Sequence, residues 1–163
     1  PGLREVLELA QGKIKLNIEL KPADNGEELA RKTVALIEKY NMENDCVITS
    51  FSSSALLAAK SCDESIRVGY ILSAAYGDYY DMKNIDFFSV NAAFLSKRTI
   101  DAIHNSGKQV YAWTVNNKDS IKNLTNKGVD GVITDNPVLA RETIYSRDTS
   151  ETIINMIRYV FNQ

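Results

Sequence analysis

The apolar and polar residues change their spacing along the chain, and this change predicts strands and helices in alternation. Apolar and polar residues alternate strictly from Lys13 to Leu20, which indicates a strand with one face on a core. From Glu27 to Tyr40 the apolar residues recur at helical spacing, and the first turn is acidic. The same two patterns predict further strands at Val47–Thr49, Arg67–Leu72, Ile85–Val90, Gln109–Val115 and Val129–Thr134, and further helices at Ala55–Lys60, Thr99–Asn105, Lys118–Asn126 and from Pro137 onward.

The order of these elements predicts the fold class. Strands that alternate with helices are typical of βα units, whose strands lie parallel in one sheet. No Gly-x-Gly-x-x-Gly turn follows a predicted strand, which weakens a doubly wound, nucleotide-binding alternative. We therefore predict an α/β fold, an incomplete (β/α) TIM-type barrel of about six parallel strands with intervening helices. Such a barrel closes with eight strands, so we expect the missing pair ahead of Pro1, in a chain cut from a larger protein.

The residues after Arg147 follow a different pattern. Asp148 to Glu151 offers N-cap side chains, and an apolar stripe follows at helical spacing, formed by Ile153, Ile154, Ile157, Val160 and Phe161. We therefore divide the chain into a barrel portion at 1–147 and a C-terminal amphipathic helix at 148–163 that packs on the barrel. A partner chain or a membrane surface is the alternative cover for this stripe.

Composition and charge exclude several classes of protein. The chain has 163 residues, with 19 basic and 21 acidic side chains and a formal charge of −2, which argues against a nucleic-acid partner. Its 44% hydrophobic and 25% charged residues are typical of a globular domain and exclude disorder. No apolar run approaches the ~18 residues of a membrane span. Localisation stays open: we expect the chain itself to be soluble and a parent protein to be cytoplasmic or membrane-anchored.

The cysteines and the histidine do not form a catalytic centre. Cys46 and Cys62 match no metal or redox spacing and are interpreted as two buried thiols. The lone His104 lies near the end of a predicted helix, where a helix-end charge or plain solvent exposure is expected. The chain therefore has no histidine pair for acid–base chemistry.

The first strand carries the strongest candidate chemistry. Parallel α/β sheets hold their functional groups at the carboxyl ends of the strands. There the polar residues Asn17, Glu19 and Lys21 share the face that points into the barrel, opposite the apolar face. The carboxylate of Glu19 suits a hard divalent cation and the ammonium of Lys21 suits a phosphate. A surface salt bridge at a strand end is the alternative.

Five strings of residues, in order, resemble glycerophosphodiester phosphodiesterases over about residues 3 to 145. Each string is a weak match alone, whereas the ordered set at strand ends is specific. The strings are Leu3-Arg4-Glu5-Val6-Leu7-Glu8-Leu9, Asn17-Ile18-Glu19-Leu20-Lys21-Pro22, Ile48-Thr49-Ser50-Phe51-Ser52, Ala112-Trp113-Thr114-Val115-Asn116 and Gly128-Val129-Asp130-Gly131-Val132-Ile133-Thr134-Asp135-Asn136-Pro137.

The resemblance implies an eight-stranded (β/α) barrel that hydrolyses a glycerophosphodiester to glycerol 3-phosphate and an alcohol. In that family the catalytic histidines lie upstream, in a His-Arg-Gly string and in a His-Asp string after a Glu-x-Asp metal pair, and this chain contains none of these strings. The resemblance makes Glu19 a ligand of Ca²⁺ or Mg²⁺ and places Lys21 near the phosphate. It also makes Trp113 and Phe51 the lining of the substrate pocket. No catalytic residue is expected within the chain, which by itself is predicted to be inactive.

Other interpretations stay open. The parent barrel could be a related phosphodiesterase that acts on phospholipids, such as a phosphatidylinositol-specific or sphingomyelinase-like enzyme. It could also be a non-catalytic barrel remnant that serves as an assembly module. Open strand edges pair with other chains, so we expect the 163-residue chain to be a homo-oligomer.

Two further segments lie at predicted strand ends. Asp135-Asn136-Pro137 looks like an acidic site but is explained more simply as a helix cap followed by proline. The tyrosine loop, Ser73–Asn84, contains Tyr76, Tyr79 and Tyr80 and either shapes substrate access or covers the end of the sheet.

Overall fold

The computed structural model of the chain describes residues 1–74 and 79–146. The described part contains six strands and six helices, with short 3₁₀ turns at Tyr79–Asp81 and Ala92–Phe94. The predicted helix at 148–163 lies outside the described residues. The strands are β1 (Leu16–Leu20), β2 (Cys46–Ser50), β3 (Arg67–Leu72), β4 (Phe87–Asn91), β5 (Gln109–Trp113) and β6 (Gly131–Val132); the helices are α1 (Leu3–Ala10), α2 (Gly26–Lys39), α3 (Ser53–Cys62), α4 (Lys97–Asn105), α5 (Lys118–Lys127) and α6 (137–146).

The six strands form one parallel sheet in the order in which they occur in the chain. Each connection except that between β3 and β4 contains one of the helices α2 to α5, so the prediction of an incomplete TIM-type barrel is confirmed. The sheet is a half-barrel whose two edge strands are β1 and β6. Because closure alone removes sheet edges, both edges stay open within the described part of the chain.

The first strand is shorter than its alternating pattern predicts. The backbone N–H groups of Lys13 and Ile14 both donate to the carbonyl of Ala10, at 2.8 and 3.1 Å, and so close a turn after α1. Ladder pairing with β2 begins at Leu16. Ile14 therefore lies outside the strand with 63% of its surface exposed, although its place in the alternation predicts a buried residue.

The core lies between the outer face of the sheet and the helices. Apolar side chains of alternate strand residues point outward and meet the apolar stripes of the helices, which buries both. None of the helices described here is long and apolar enough to cross a bilayer. The largest fully buried side chains of this layer include Leu7, Val34, Ile37, Ile48, Leu56, Phe88, Ile100, Ile103 and Ile121.

Two aromatic rings fill the inner side of the half-barrel near the amino ends of the strands. The rings of Phe87 and Tyr111 lie 4.7 Å apart, and the guanidinium carbon of Arg67 lies 5.6 Å from the Phe87 centroid. Glycines on the neighbouring strands β3 and β6 leave space for these two rings. A Cβ atom on Gly69 would lie 2.1 Å from the Phe87 ring, and one on Gly131 would lie 3.2 Å from the Tyr111 ring. This aromatic floor, Phe87 with Tyr111, closes the bottom of the inner face.

An aspartate before β4 ties the amino end of β3 to a helix. The Oδ2 atom of Asp86 accepts the backbone N–H of Val68 at 2.7 Å and lies 2.9 Å from the Nζ atom of Lys60. The lysine side chain is only 16% exposed, so this pair is shielded from solvent more than a surface ion pair. The contact joins α3 to the sheet.

A second aspartate repeats this arrangement before β6. The Oδ2 atom of Asp130 accepts the N–H of Val110 at 2.8 Å and lies 2.9 Å from the Nε2 atom of His104 on α4. The histidine is therefore a structural partner at the amino end of β5 rather than a freely solvated side chain. His104 thus lies at the amino ends of the strands.

We expect Asp130→Ala to lower the free energy of unfolding by about 2 kcal/mol, because it leaves the Val110 N–H without its charged acceptor. His104→Ala removes only the partly exposed side of the contact and is expected to cost less than about 1 kcal/mol. Urea denaturation of both variants measures the difference. Equal stabilities of the two variants would contradict this account of the aspartate.

The two cysteines differ in their surroundings. Cys46 is buried in β2, and burial raises the pKa of its thiol to about 11. It is therefore a protonated and unreactive side chain near neutral pH. Cys62 ends α3 and is exposed, so the interpretation of two buried thiols is wrong for this residue. Its place at the helix end, beyond the buried turns of α3, explains the exposure.

Candidate functional site

The carboxyl ends of the strands surround a cleft of about 700 Å³ on the inner side of the half-barrel. All four candidate site residues predicted from the sequence line this cleft, and they lie at the carboxyl ends of β1, β2 and β5. Further polar side chains line it, at inward positions of β2 and β4 and just after β5 and β6. The candidate residues from the sequence are Glu19, Lys21, Phe51 and Trp113, and the further polar residues are Thr49, Ser89, Thr114 and Thr134.

Two opposite charges lie at the end of β1. The Nζ atom of Lys21 is 3.6 Å from the Oε2 atom of Glu19, and their side chains are 76% and 35% exposed. Water screens an ion pair at this exposure, so the contact contributes little to stability. Both groups therefore face the cleft with their charges available to a ligand.

A hydrogen bond fixes the polar residue below these charges. The hydroxyl of Thr49 donates to the Oδ1 atom of Asn17 at 2.9 Å, and the threonine is only 2% exposed. The oxygen of the Asn17 carboxamide accepts this bond, and its NH₂ group is the donor that the side chain can offer to the cleft. Strict alternation in β1 places Asn17 and Glu19 on the same face.

An aromatic pair forms one wall of the cleft. The rings of Phe51 and Trp113 have centroids 6.3 Å apart and planes at 88°, an edge-to-face arrangement. The indole N–H of Trp113 donates to the carbonyl of Ser89 at 2.9 Å, which fixes the ring on the neighbouring strand. Phe51 is 51% exposed. The wall offers apolar surface beside the charged groups.

A side-chain network joins the loops that follow β5 and β6. Asn116 accepts from the hydroxyl of Thr134 at 3.1 Å and from the N–H of Asp135 at 2.9 Å, and its Nδ2 donates to the Asp135 carboxylate at 2.7 Å. Asn136 caps α6 by accepting the N–H of Leu139 at 3.2 Å. The capping interpretation therefore holds for the asparagine, while the aspartate binds the preceding loop.

The described tyrosines of the tyrosine loop lie outside the cleft. The Tyr79 ring packs edge-on against Phe88 with centroids 5.2 Å apart, on the outer, helix-facing side of the sheet. The carbonyl of Tyr80 accepts from the Nζ atom of Lys108 at 2.7 Å, near the amino end of β5. Tyr79 therefore belongs to the outer core layer and Tyr80 contacts the amino end of β5, and neither covers the carboxyl end of the sheet at the cleft. Tyr76 lies outside the described residues.

The resemblance implies a divalent cation, and such an ion requires several oxygen ligands from the residues that line the cleft. Ca²⁺ takes about six to eight oxygen ligands, and Mg²⁺ takes six ligands in an octahedron, of which one or two are carboxylates and the others include water and substrate phosphate. Across residues 1–74 and 79–146, no three acidic, histidine or cysteine side chains lie close enough to hold a metal ion. Glu19 is the carboxylate of the cleft lining and supplies one hard oxygen ligand. These residues alone do not complete a cation site.

Known proteins share both the sequence and the fold. A glycerophosphodiester phosphodiesterase of Caldanaerobacter subterraneus is 26% identical over 168 residues, which cover 97% of this chain and 62% of the relative. A glycerophosphodiester phosphodiesterase from Parabacteroides distasonis has the same fold, with a TM-score of 0.82 at 20% identity over 91% of this chain and 65% of that one. The chain thus spans less than two thirds of either protein's length.

A third similar protein was solved with a ligand. A phosphodiesterase from Oleispira antarctica, in complex with its product sn-glycerol 3-phosphate, matches with a TM-score of 0.75 and 27% identity. The match covers 88% of this chain and 61% of that protein. The sequence model of the glycerophosphoryl diester phosphodiesterase family matches residues 1–139, which include the strands β1 to β6 and the residues that line the cleft. The chain therefore belongs to the glycerophosphoryl diester phosphodiesterase family.

Proposed function

We propose that this chain forms part of a metal-dependent phosphodiesterase that hydrolyses glycerophosphodiesters to glycerol 3-phosphate and an alcohol. The observation that carries the proposal is the cleft, where a carboxylate, an ammonium group and an aromatic pair meet at the carboxyl ends of the strands. Membership of the family and the product bound to the similar Oleispira phosphodiesterase support it.

Each cleft residue has a role that follows from its chemistry. A phosphodiester resists hydrolysis because its negative charge repels a nucleophile, and the Lys21 ammonium offsets that charge. Trp113 and Phe51 present apolar surface to the carbon atoms of the glycerol or alcohol portion, while Asn17 can donate to its oxygens. Glu19 would be one of several ligands of Ca²⁺ or Mg²⁺, an ion that supplies further neutralisation of phosphate charge when bound.

In the proposed reaction, residues outside this chain supply the acid–base groups. Breaking a phosphodiester requires a proton donor for the alkoxide leaving group, and histidine has the appropriate pKa. The single histidine, His104, is bound to Asp130 at the amino ends of the strands, away from the cleft. By resemblance, the His-Arg-Gly and His-Asp strings of the family supply these groups.

We therefore expect the purified 163-residue chain to show no hydrolysis of glycerophosphocholine above the buffer rate, with Ca²⁺ or Mg²⁺ present. Loss of an acid–base pair alone removes roughly two to four orders of magnitude in rate. Enzymatic detection of sn-glycerol 3-phosphate measures the release, and a Glu19→Ala variant controls for a contaminating hydrolase. Metal-dependent release by the wild-type chain that Glu19→Ala abolishes would contradict the assignment of the acid–base groups.

A further inference from the structure

The chain forms a β-bulge where the end of β5 borders the cleft. The backbone N–H of Ile133 donates to the carbonyl of Ala112 at 2.8 Å, and the carbonyl of Ile133 accepts the N–H of Val115 at 2.9 Å. In a regular parallel ladder the N–H of Thr114 would make the second bond, so this segment has one extra residue opposite Ile133. Bulges redirect side chains and are over-represented beside active sites.

The burial of the side chains agrees with this bulge. Ala112 and Val115 both belong to the core on the outer side of the sheet and are 0% and 2% exposed. Trp113 and Thr114, which lie between them, both line the cleft. Regular alternation would place two consecutive residues on opposite faces of the sheet. The bulge therefore directs two successive residues to the cleft and returns the chain to the core at Val115.

The residue that directly follows the bulge holds it in place. We propose that Asn116 is a positioning residue, which stabilises the bulged register and thereby keeps Trp113 and Thr114 at the cleft. The inference rests on the proposed function in one respect, since it takes the cleft as the place where the phosphodiester binds. The position of Trp113, by contrast, can be measured without any substrate.

Both ends of the Asn116 carboxamide bind the loop after β6. The Oδ1 atom accepts the hydroxyl of Thr134 and the N–H of Asp135, and the Nδ2 atom donates to the Asp135 carboxylate. The Thr134 hydroxyl in turn accepts the N–H of Asn136 at 3.0 Å, which fixes its orientation toward Asn116. The three bonds of Asn116 therefore form a clamp between the chain after β5 and the chain after β6.

This clamp favours the bulged register over the regular one. β5 and β6 share only two ladder pairs, so backbone pairing supports their carboxyl ends weakly. A slip of one residue would restore the regular ladder, in which Thr114 donates to Ile133 and points away from the cleft. The same slip would move Asn116 out of register with Thr134 and Asp135. Keeping the three side-chain bonds thus requires the bulge.

The fluorescence of Trp113 tests the proposal in the 163-residue chain, because this residue is the only tryptophan. Asn116→Ala removes all three bonds. We expect its emission to shift to longer wavelength, acrylamide to quench it more strongly, and the tryptophan band in near-ultraviolet circular dichroism to weaken. Asn117→Ala is the matched control. Asn117 caps α5 by accepting the N–H of Ser120 at 2.8 Å, so this variant should lose stability and keep the wild-type spectra.

Exchanging the two paired side chains gives a second test, which also decides the matter if Asn116→Ala does not fold. Asn116→Asp sets two carboxylates together and should change the Trp113 spectra, whereas Asn116→Asp with Asp135→Asn pairs a carboxamide with a carboxylate again and should restore them. Far-ultraviolet circular dichroism verifies that each variant is folded. Wild-type spectra of the single Asn116 variants, an equal change in Asn117→Ala, or no recovery in the exchange variant overturns the proposal. No substrate is present, so these outcomes are separate from that of the hydrolysis assay.

Discussion

Replacing Gly69 with alanine is expected to lower the free energy of unfolding by about 3 kcal/mol, because the added methyl group overlaps a buried aromatic ring. The new Cβ would lie 2.1, 2.3 and 2.6 Å from three atoms of the Phe87 ring. That ring is fully buried between Arg67 and Tyr111, so it cannot rotate into solvent. The midpoint of urea denaturation, with an unchanged slope, measures the effect.

Three comparisons separate this clash from a general intolerance of alanine. Gly131→Ala should cost less, because its Cβ would meet the Tyr111 ring at 3.2 Å, a distance that small shifts relieve. Gly2→Ala, which would meet nothing within 4 Å, should be neutral. Adding Phe87→Leu to Gly69→Ala should recover part of the loss. Wild-type stability of Gly69→Ala would mean that the aromatic floor is not packed as described.

The second large effect concerns Glu19 in a completed barrel, in which a family segment carrying the His-Arg-Gly and His-Asp strings is joined ahead of Leu3. There Glu19→Ala should lower turnover at limiting Ca²⁺ or Mg²⁺ by about a hundredfold or more. Removing even an outer partner of a metal ligand typically costs 10- to 100-fold, and Glu19 is proposed as a ligand itself. Initial rates across a metal titration measure the change, which excess metal should partly reverse.

Glu8→Ala is the matched control for this variant. Its carboxylate lies on α1 and accepts the Tyr40 hydroxyl at 2.6 Å, away from the cleft. It should leave turnover and metal dependence unchanged. Lys21→Met in the same barrel should slow hydrolysis while the fold is retained, because the phosphate charge loses its ammonium partner. Equal metal titration curves for Glu19→Ala and the unsubstituted barrel would remove Glu19 from the proposed cation site.

The sequence determined most of the fold because βα units carry strong local signals. Alternation identified β1, and Asn25, just ahead of the predicted helix, caps α2 by accepting the N–H of Glu28 at 3.1 Å. The helices predicted from Ala55 and Thr99 begin two residues earlier, because the side chains of Ser52 and Ser96 accept the N–H groups of Ala55 and Thr99 and cap them. The start of β1 was wrong because alternation continues through a turn whose hydrogen bonds return to α1. The spacing of apolar residues shows which face of a strand each side chain occupies, but it does not show which residues the backbone N–H groups bind.

Alternation of side chains along each strand predicts part of the candidate site. It places Glu19 on the inward face of β1, and the same alternation in β2 and β4 could have identified Thr49 and Ser89. The partnership of Asp130 with His104 spans 26 positions of sequence and depends on how α4 crosses the sheet. Tyr79 follows a strand end yet packs on the outer layer, because the loop returns toward the start of the next strand. Contacts of this kind require the three-dimensional path of the chain.

The most direct test of the central claim compares substrates in the completed barrel. We expect it to release sn-glycerol 3-phosphate from glycerophosphocholine, in a metal-dependent reaction that Glu19→Gln suppresses, while intact phosphatidylcholine, phosphatidylinositol and sphingomyelin are not cleaved. Quantifying the phosphorylated products by mass spectrometry distinguishes these outcomes. Hydrolysis of intact lipids in preference to glycerophosphocholine, or a folded barrel that binds metal and cleaves none of these compounds, would contradict the proposed function.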